Sequence, residues 1–240
     1  MPVDLAVPLA LLLGLPAGTA ARRGALVLAV PDDQEPHAGC PRCRTPFNSR
    51  SPRTALGQCP NCRQRIGAAA LLPEVLTAVL WGLCTAATGA SWLGAALCWL
   101  SVCSVALTLV DWSVHRLPDN LTLTTGTGLL LLLTVTAFAG DNWAALLRST
   151  ECGAALGTLY LLLALFTSVG LGDVKLAPVL GVALGWFGWA YLVAGTFAGF
   201  LLGSLYGIAL LITRRATHRS RIAFGPWMAA GALTVCLLAA

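Results

Sequence analysis

Two aspartates in this 240-residue chain stand where a carboxylate is costly to place. Asp111 closes a long apolar run, in Thr108-Leu-Val-Asp111-Trp-Ser-Val-His-Arg-Leu-Pro118-Asp119. Asp173 follows another, in Gly170-Leu-Gly172-Asp173-Val-Lys175. Acids within or beside membrane spans are rare and mark function by default. Two carboxylates held close together do not both ionise readily, so one keeps a proton while the other serves as base. Such a pair can activate a water to attack a peptide carbonyl and then protonate the leaving amine. The glycines before Asp173 would let an extended backbone approach it. The simpler reading is that each acid caps a helix. That reading suits Asp119, since Pro118-Asp119-Asn120 precedes a further apolar run. Glu74, in Glu74-Val-Leu-Thr77, opens another run, where the helix dipole favours an acid. The pattern alone does not bring Asp111 and Asp173 together in space.

A second constellation is made of thiols. Cys40-Pro-Arg-Cys43 and Cys59-Pro-Asn-Cys62 form a C-x2-C-x15-C-x2-C pattern. Two such knuckles can place four thiolates around one tetrahedral zinc ion. A loop this small buries no useful core, so a metal would supply its folding energy. Four cysteines leave no open coordination position, which makes the expected role structural. Two disulfides or free thiols are the alternative, and His37 is a competing ligand. The odd total of nine cysteines and a cytoplasmic setting both argue against a disulfide framework. Cys84, Cys98, Cys103, Cys152 and Cys236 lie in apolar segments, where a free cysteine behaves as a small hydrophobe.

The elements that must position these groups follow from hydropathy. The chain is 57% hydrophobic and 10% charged, with a mean hydropathy of +0.78. Soluble domains carry about 25% charged residues, so lipid is the solvent for most of this one. Runs long enough to cross hydrocarbon fall near 4–21, 71–88, 92–110, 121–139, 151–168, 175–191, 193–212 and 223–240. The expected fold is therefore all-α, a polytopic membrane bundle of about eight transmembrane helices with a small zinc-binding cytoplasmic loop. The run from Leu176 to Ile212 is too long for one span, and Gly185, Gly188 and Gly195 suggest a hairpin.

Charge sets the orientation. Eight arginines lie between Arg22 and Arg65, and four more between Arg214 and Arg221. Retention of basic residues inside places those segments, with Arg116 and Lys175, in the cytoplasm. Asp111 and Asp173 then emerge at that same face, and Arg148 is the exception to the rule. The apolar run from Leu5 to Ala21 precedes its basic pair, the reverse of a secretory signal. It is expected to be an uncleaved first span with the amino terminus outside. Residues 1–30 thus form a first helix, 31–66 the cysteine loop with a flexible lead-in from Pro31 to Gly39, and 67–240 the remaining core. The net charge of +5 reflects topology, so lipid is an expected partner and nucleic acid is not. The pattern carries no signature of a particular oligomeric state.

At these residues the chain resembles type IV prepilin peptidases, the bifunctional leader peptidase/N-methyltransferase family of GxGD membrane aspartyl proteases. Four features occur in the family's order. They are the paired CxxC units, Asp111 with Pro118-Asp119, Gly170-Leu-Gly172-Asp173 with Lys175, and Phe224-Gly225-Pro226. The resemblance implies a catalytic pair in Asp111 and Asp173. Gly170, Gly172, Lys175, Glu74 and Asp119 would bind substrate or support the pair, and Cys40, Cys43, Cys59 and Cys62 would hold zinc. It implies a prepilin or pseudopilin precursor as substrate, cut after glycine between a basic leader and a hydrophobic helix, at the inner membrane of a prokaryote. S-adenosylmethionine would serve the methylating activity. The chain departs from the family where Gly14-Leu-Pro-Ala-Gly18 replaces a Gly-Ser-Phe-Leu-Asn-type motif and Leu72-Pro73 replaces Tyr-Pro. A presenilin-like peptidase shares GxGD, but Val110 precedes Asp111 where that group has tyrosine. A proton-coupled transporter using the same aspartates and a zinc-binding interaction protein are the other classes.

Overall fold

A computed structural model describes residues 3–29, 39, 40, 42–46, 53, 57–114, 117–167, 170–214 and 223–240. The lead-in at 31–38 with His37, together with Arg116 and the basic residues at 215, 219 and 221, lies outside them. Among the described residues the fold is all-helical, with eight helices: α1 (Val3–Leu28), α2 (Leu72–Thr88), α3 (Trp92–Val114), α4 (Asp119–Gly140), α5 (Trp143–Phe166), α6 (Leu171–Phe187), α7 (Trp189–Ile212) and α8 (Gly225–Ala239). Each expected run holds one helix. Five of them (α1, α3, α4, α5 and α7) are long and apolar enough to cross a membrane. The other three are shorter, 17 residues in α2 and α6 and 15 in α8.

Boundaries differ where charge interrupts the apolar pattern. α1 runs on through Arg22 and Arg23, and α5 starts before Arg148 instead of after it. Arg22 and Arg148 have partners that let a helix carry them. Arg148 donates from Nε to the carbonyl of Gly185 at 2.9 Å, and from Nη2 to that of Trp186. Those are carbonyls in the last turn of α6, which lack helical partners of their own. The exception to the charge rule is thus a helix cap. The expected hairpin breaks at Gly188, whose φ of 140° few other residues adopt.

Without a hydrophobic driving force between helices in lipid, close packing falls to small residues. Gly14 and Gly18 give α1 its seat on α2: a Cβ at Gly18 would lie 2.5 Å from Cα of Glu74, and one at Gly14 would lie 2.4 Å from Cα of Ala78. The segment that departs from the family motif is therefore a helix–helix contact. Gly18→Val is expected to force α1 off α2 at a cost of about 1–3 kcal/mol, read as a lower Tm in detergent. α3 runs through the bundle centre, where Leu97, Leu100, Leu107 and Val110 are buried.

Candidate active site and metal centre

The end of α3 and the first turns of α6 and α8 meet at one end of the bundle. Asp111 is 5% exposed there. The first turn of α8 lies against it, so that a Cβ at Gly225 would stand 3.0 Å from Asp111 Oδ2. Leu117, buried just past α3, fills the space between α8 and α6. A Cβ at Gly172 would meet its Cδ1 at 2.5 Å. Gly172 and Gly225 thus let Leu117 and the two helix starts close up beside the acid.

Asp173 sits in the first turn of α6, half-buried, its backbone N–H donating to the Gly170 carbonyl at 3.0 Å. Gly170 is the N-cap, with an extended φ of −65° and ψ of 136°. The helix start favours negative charge there. Asp111 and Asp173 lie at the same end of the bundle, near enough for the charge of Asp111 to act on Asp173. Among the described residues, the crevice at Asp111 is lined mainly by apolar groups, with Leu107, Leu117 and Leu176 beside Ser104 and Thr108. A low-dielectric wall strengthens repulsion between two carboxylates and favours a single shared proton. Tyr160 of α5, 2% exposed, is also within reach of the Asp173 charge, and sequence reasoning missed it. Its only signal was a polar tip inside an apolar run.

Lys175 and Asp119 form an ion pair that ties α6 to the start of α4. Asp119 therefore does not cap α4. Pro118 is the N-cap, without a side-chain bond, and the Asp119 side chain turns to the lysine instead. Both partners are substantially exposed, so the pair adds only about 0–1 kcal/mol.

Glu74 lies deeper, at 3% exposure, in the first turn of α2. Both of its oxygens accept from Arg22, which is 1% exposed: Nε to Oε1 and Nη2 to Oε2, each at 2.9 Å. The same guanidinium donates to the carbonyls of Ala68 at 2.8 Å and Ala69 at 2.7 Å. One side chain thus clamps α1, α2 and the segment leaving the cysteine loop. Arg22 was read from the sequence only as one cytoplasmic charge among eight.

The four cysteines Cys40, Cys43, Cys59 and Cys62 converge, their sulfurs all within 4.8 Å of one another. Cys40 and Cys62 sulfurs are 3.7 Å apart, and those of Cys43 and Cys59 are 3.5 Å apart. These are free thiols and not disulfides. A tetrahedron with metal–sulfur bonds of about 2.3 Å has edges of about 3.8 Å, so the donor set fits zinc. The two knuckles repeat one design. Cys40 and Cys59 each donate from N–H to a carbonyl five residues on (Thr45, Gln64), and Arg44 and Arg63 each return an N–H to the cysteine carbonyl. Both arginines take a left-handed conformation, with φ of 55° and 58°. The Thr45 hydroxyl, 3.2 Å from Cys43 Sγ, and the Thr45 backbone hold that thiol down to about 6, which favours a metal-ready thiolate. Asn61 of the second knuckle donates to the Thr45 hydroxyl at 3.1 Å. Ile66 and Leu26 pack beneath the cluster and fix it to the end of α1.

Comparison with known proteins meets this geometry. Residues 95–210 match the model of the type IV leader peptidase family. A prepilin leader peptidase/N-methyltransferase of Aeromonas salmonicida is 32% identical over 216 residues, covering 83% of this chain and 72% of that protein. Proteins of the same name from Neisseria gonorrhoeae (30%, 80% of this chain and 68% of the relative) and Pseudomonas aeruginosa (32%, 81% and 69%) are similar over comparable lengths. No solved structure matches the chain. With Asp111 and Asp173 both inside the matched span, the chain belongs to the type IV leader peptidase family.

Proposed function

We propose that this protein is an aspartyl endopeptidase that removes the leader from type IV prepilins or pseudopilins at the inner membrane, with Asp111 and Asp173 as its catalytic pair. The observation that carries the reading is the meeting of those two carboxyls, one buried and one half-buried, at one end of a multi-pass helical bundle. The ionised member takes a proton from water as the water oxygen attacks the scissile carbonyl. The protonated member gives its proton to the carbonyl oxygen. Collapse of the tetrahedral intermediate expels the amine with a proton returned from the pair. Gly170, exposed at the start of α6, leaves room for a substrate backbone beside Asp173, while Gly172 and Gly225 let the helix starts close around the acids. The basic clusters support an orientation with this end in the cytoplasm and the amino terminus outside.

The supporting residues divide in two. Lys175 and Asp119 hold α4 to α6 next to Asp173. Glu74 acts by holding α1 and α2 together with the cysteine loop, since both its oxygens are engaged by Arg22. The relatives' names add an N-methyltransferase activity, for which S-adenosylmethionine would be the methyl donor and the new terminal amine the acceptor. The described residues present no donor set for that molecule comparable to the cysteine site.

Zinc at Cys40, Cys43, Cys59 and Cys62 would be structural. Cys59→Ser is expected to abolish copurification of zinc with the protein and to make the segment at 39–66 protease-sensitive. The peptidase reading is tested by cleavage of a prepilin peptide in proteoliposomes across pH. A shared-proton pair gives a bell-shaped profile, falling when both carboxyls are protonated and again when both are ionised. A flat profile from mildly acidic to mildly alkaline pH would sink the mechanism.

A further inference from the structure

A cavity of about 1020 Å³ lies between α1–α2 and the α3–α8 pair, extending from Arg65 at the base of the cysteine loop to Leu83 and Leu237. Its walls are mainly apolar, with Leu76 and Leu80 of α2 and Leu233 of α8 among them. Ser104, Thr108 and Ala229 line this cavity and also the crevice that holds Asp111. The two spaces therefore share a wall of the α3 surface leading to the acid.

Among the described residues, two donors on helices lining the large cavity, one on α3 and one on α8, have no hydrogen-bond partner. One is Oγ of Ser104, a residue 4% exposed, and the other is Nε1 of Trp227. An unsatisfied donor in a water-poor setting is costly, and a place where one persists suits an acceptor brought by a ligand. A precursor cut beside its hydrophobic segment supplies such acceptors. The peptide must be extended at the bond under attack, and unwinding a helix start strips carbonyls of their partners where lipid offers none.

We propose that this cavity seats the apolar segment following the scissile bond, and that Ser104 and Trp227 donate to carbonyls freed where that segment unwinds. The inference deepens the peptidase reading and rests on it. Ser104 lies seven residues before Asp111 on the same face of α3, about 10 Å away along the helix. About three extended residues cover that distance, so Ser104 serves a carbonyl about three residues beyond the cut. It is a positioning residue and takes no part in proton transfer.

The experiment places a photo-crosslinking benzoylphenylalanine at Leu80, at Leu233 or at lipid-facing Leu131, which is 68% exposed on α4. The Asp173→Asn enzyme in proteoliposomes is illuminated with a labelled prepilin peptide that includes the leader, the junction and the apolar segment. Adducts are expected at Leu80 and Leu233 and not at Leu131, and excess unlabelled peptide should suppress them. Equal labelling at all three sites, or only lipid adducts at Leu80 and Leu233, overturns the proposal. In the otherwise unaltered enzyme, Ser104→Ala is expected to lower kcat/KM about 3- to 10-fold with Tm unchanged, and Ser104→Thr to restore it. Unchanged kcat/KM in Ser104→Ala removes Ser104 from the assignment. Peptide that fails to map to the cavity while both aspartate variants are inactive refutes this inference and leaves the peptidase standing. Cleavage by Asp111→Asn or Asp173→Asn refutes the peptidase reading itself.

Discussion

Asp111→Asn and Asp173→Asn are each expected to reduce cleavage of a prepilin peptide by at least a factor of about 10²–10⁴, the usual contribution of a positioned acid or base. Asparagine keeps the size of the side chain and much of its hydrogen bonding while removing the proton that titrates. Neither variant should unfold the protein, since replacing a buried carboxyl by an amide removes a potential charge from an apolar crevice. The two losses should not add. Residues acting as one unit lose nearly everything when either is removed, so the double variant is expected to be about as inactive as each single one. The check is single-turnover cleavage at matched enzyme amounts, with Tm recorded for each variant. A double variant far worse than either single one would mean that the acids act in separate steps and not as a pair.

Arg22→Met is expected to destabilise the protein by about 3–5 kcal/mol, because it strands the carboxylate of Glu74 at a site only 3% exposed. It also removes the donors on which the carbonyls of Ala68 and Ala69 rely. Replacing both partners, in Arg22→Met with Glu74→Met, should recover a large part of the loss, as a buried ion pair is worth little against apolar groups of similar volume. Thermal unfolding in detergent reads both variants. Equal Tm values for the single and double variants would show that the guanidinium acts through its backbone carbonyls alone.

The acids and the cysteines were legible in the sequence for a common reason: each belongs to a short motif in which the residue types leave few other uses. The hairpin turn at Gly188 was legible because an apolar run twice the needed length must fold back, and glycine is where it can. What was not legible depends on pairings across great separations. Arg22 finds Glu74 52 positions along, and Lys175 finds Asp119 56 positions back. No periodicity marks such pairs. The positive-inside rule treats all eight arginines between Arg22 and Arg65 alike and so gives no reason to single out Arg22. The same blindness made Gly14 and Gly18 look like the remnant of a motif, when their four-residue spacing is what lets α1 lie against α2.

α2, with only 17 residues, borders the large cavity along its length. It reaches only about 26 Å, against a hydrocarbon layer of about 30 Å. A bilayer meeting so short an edge thins to match it. Headgroups and the water among them are drawn inward along that side of the molecule, toward the level at which α8 begins beside Asp111. The protein thereby wets a reaction that consumes water inside a medium that excludes it, and the thickness of the surrounding lipid becomes part of the enzyme's working environment.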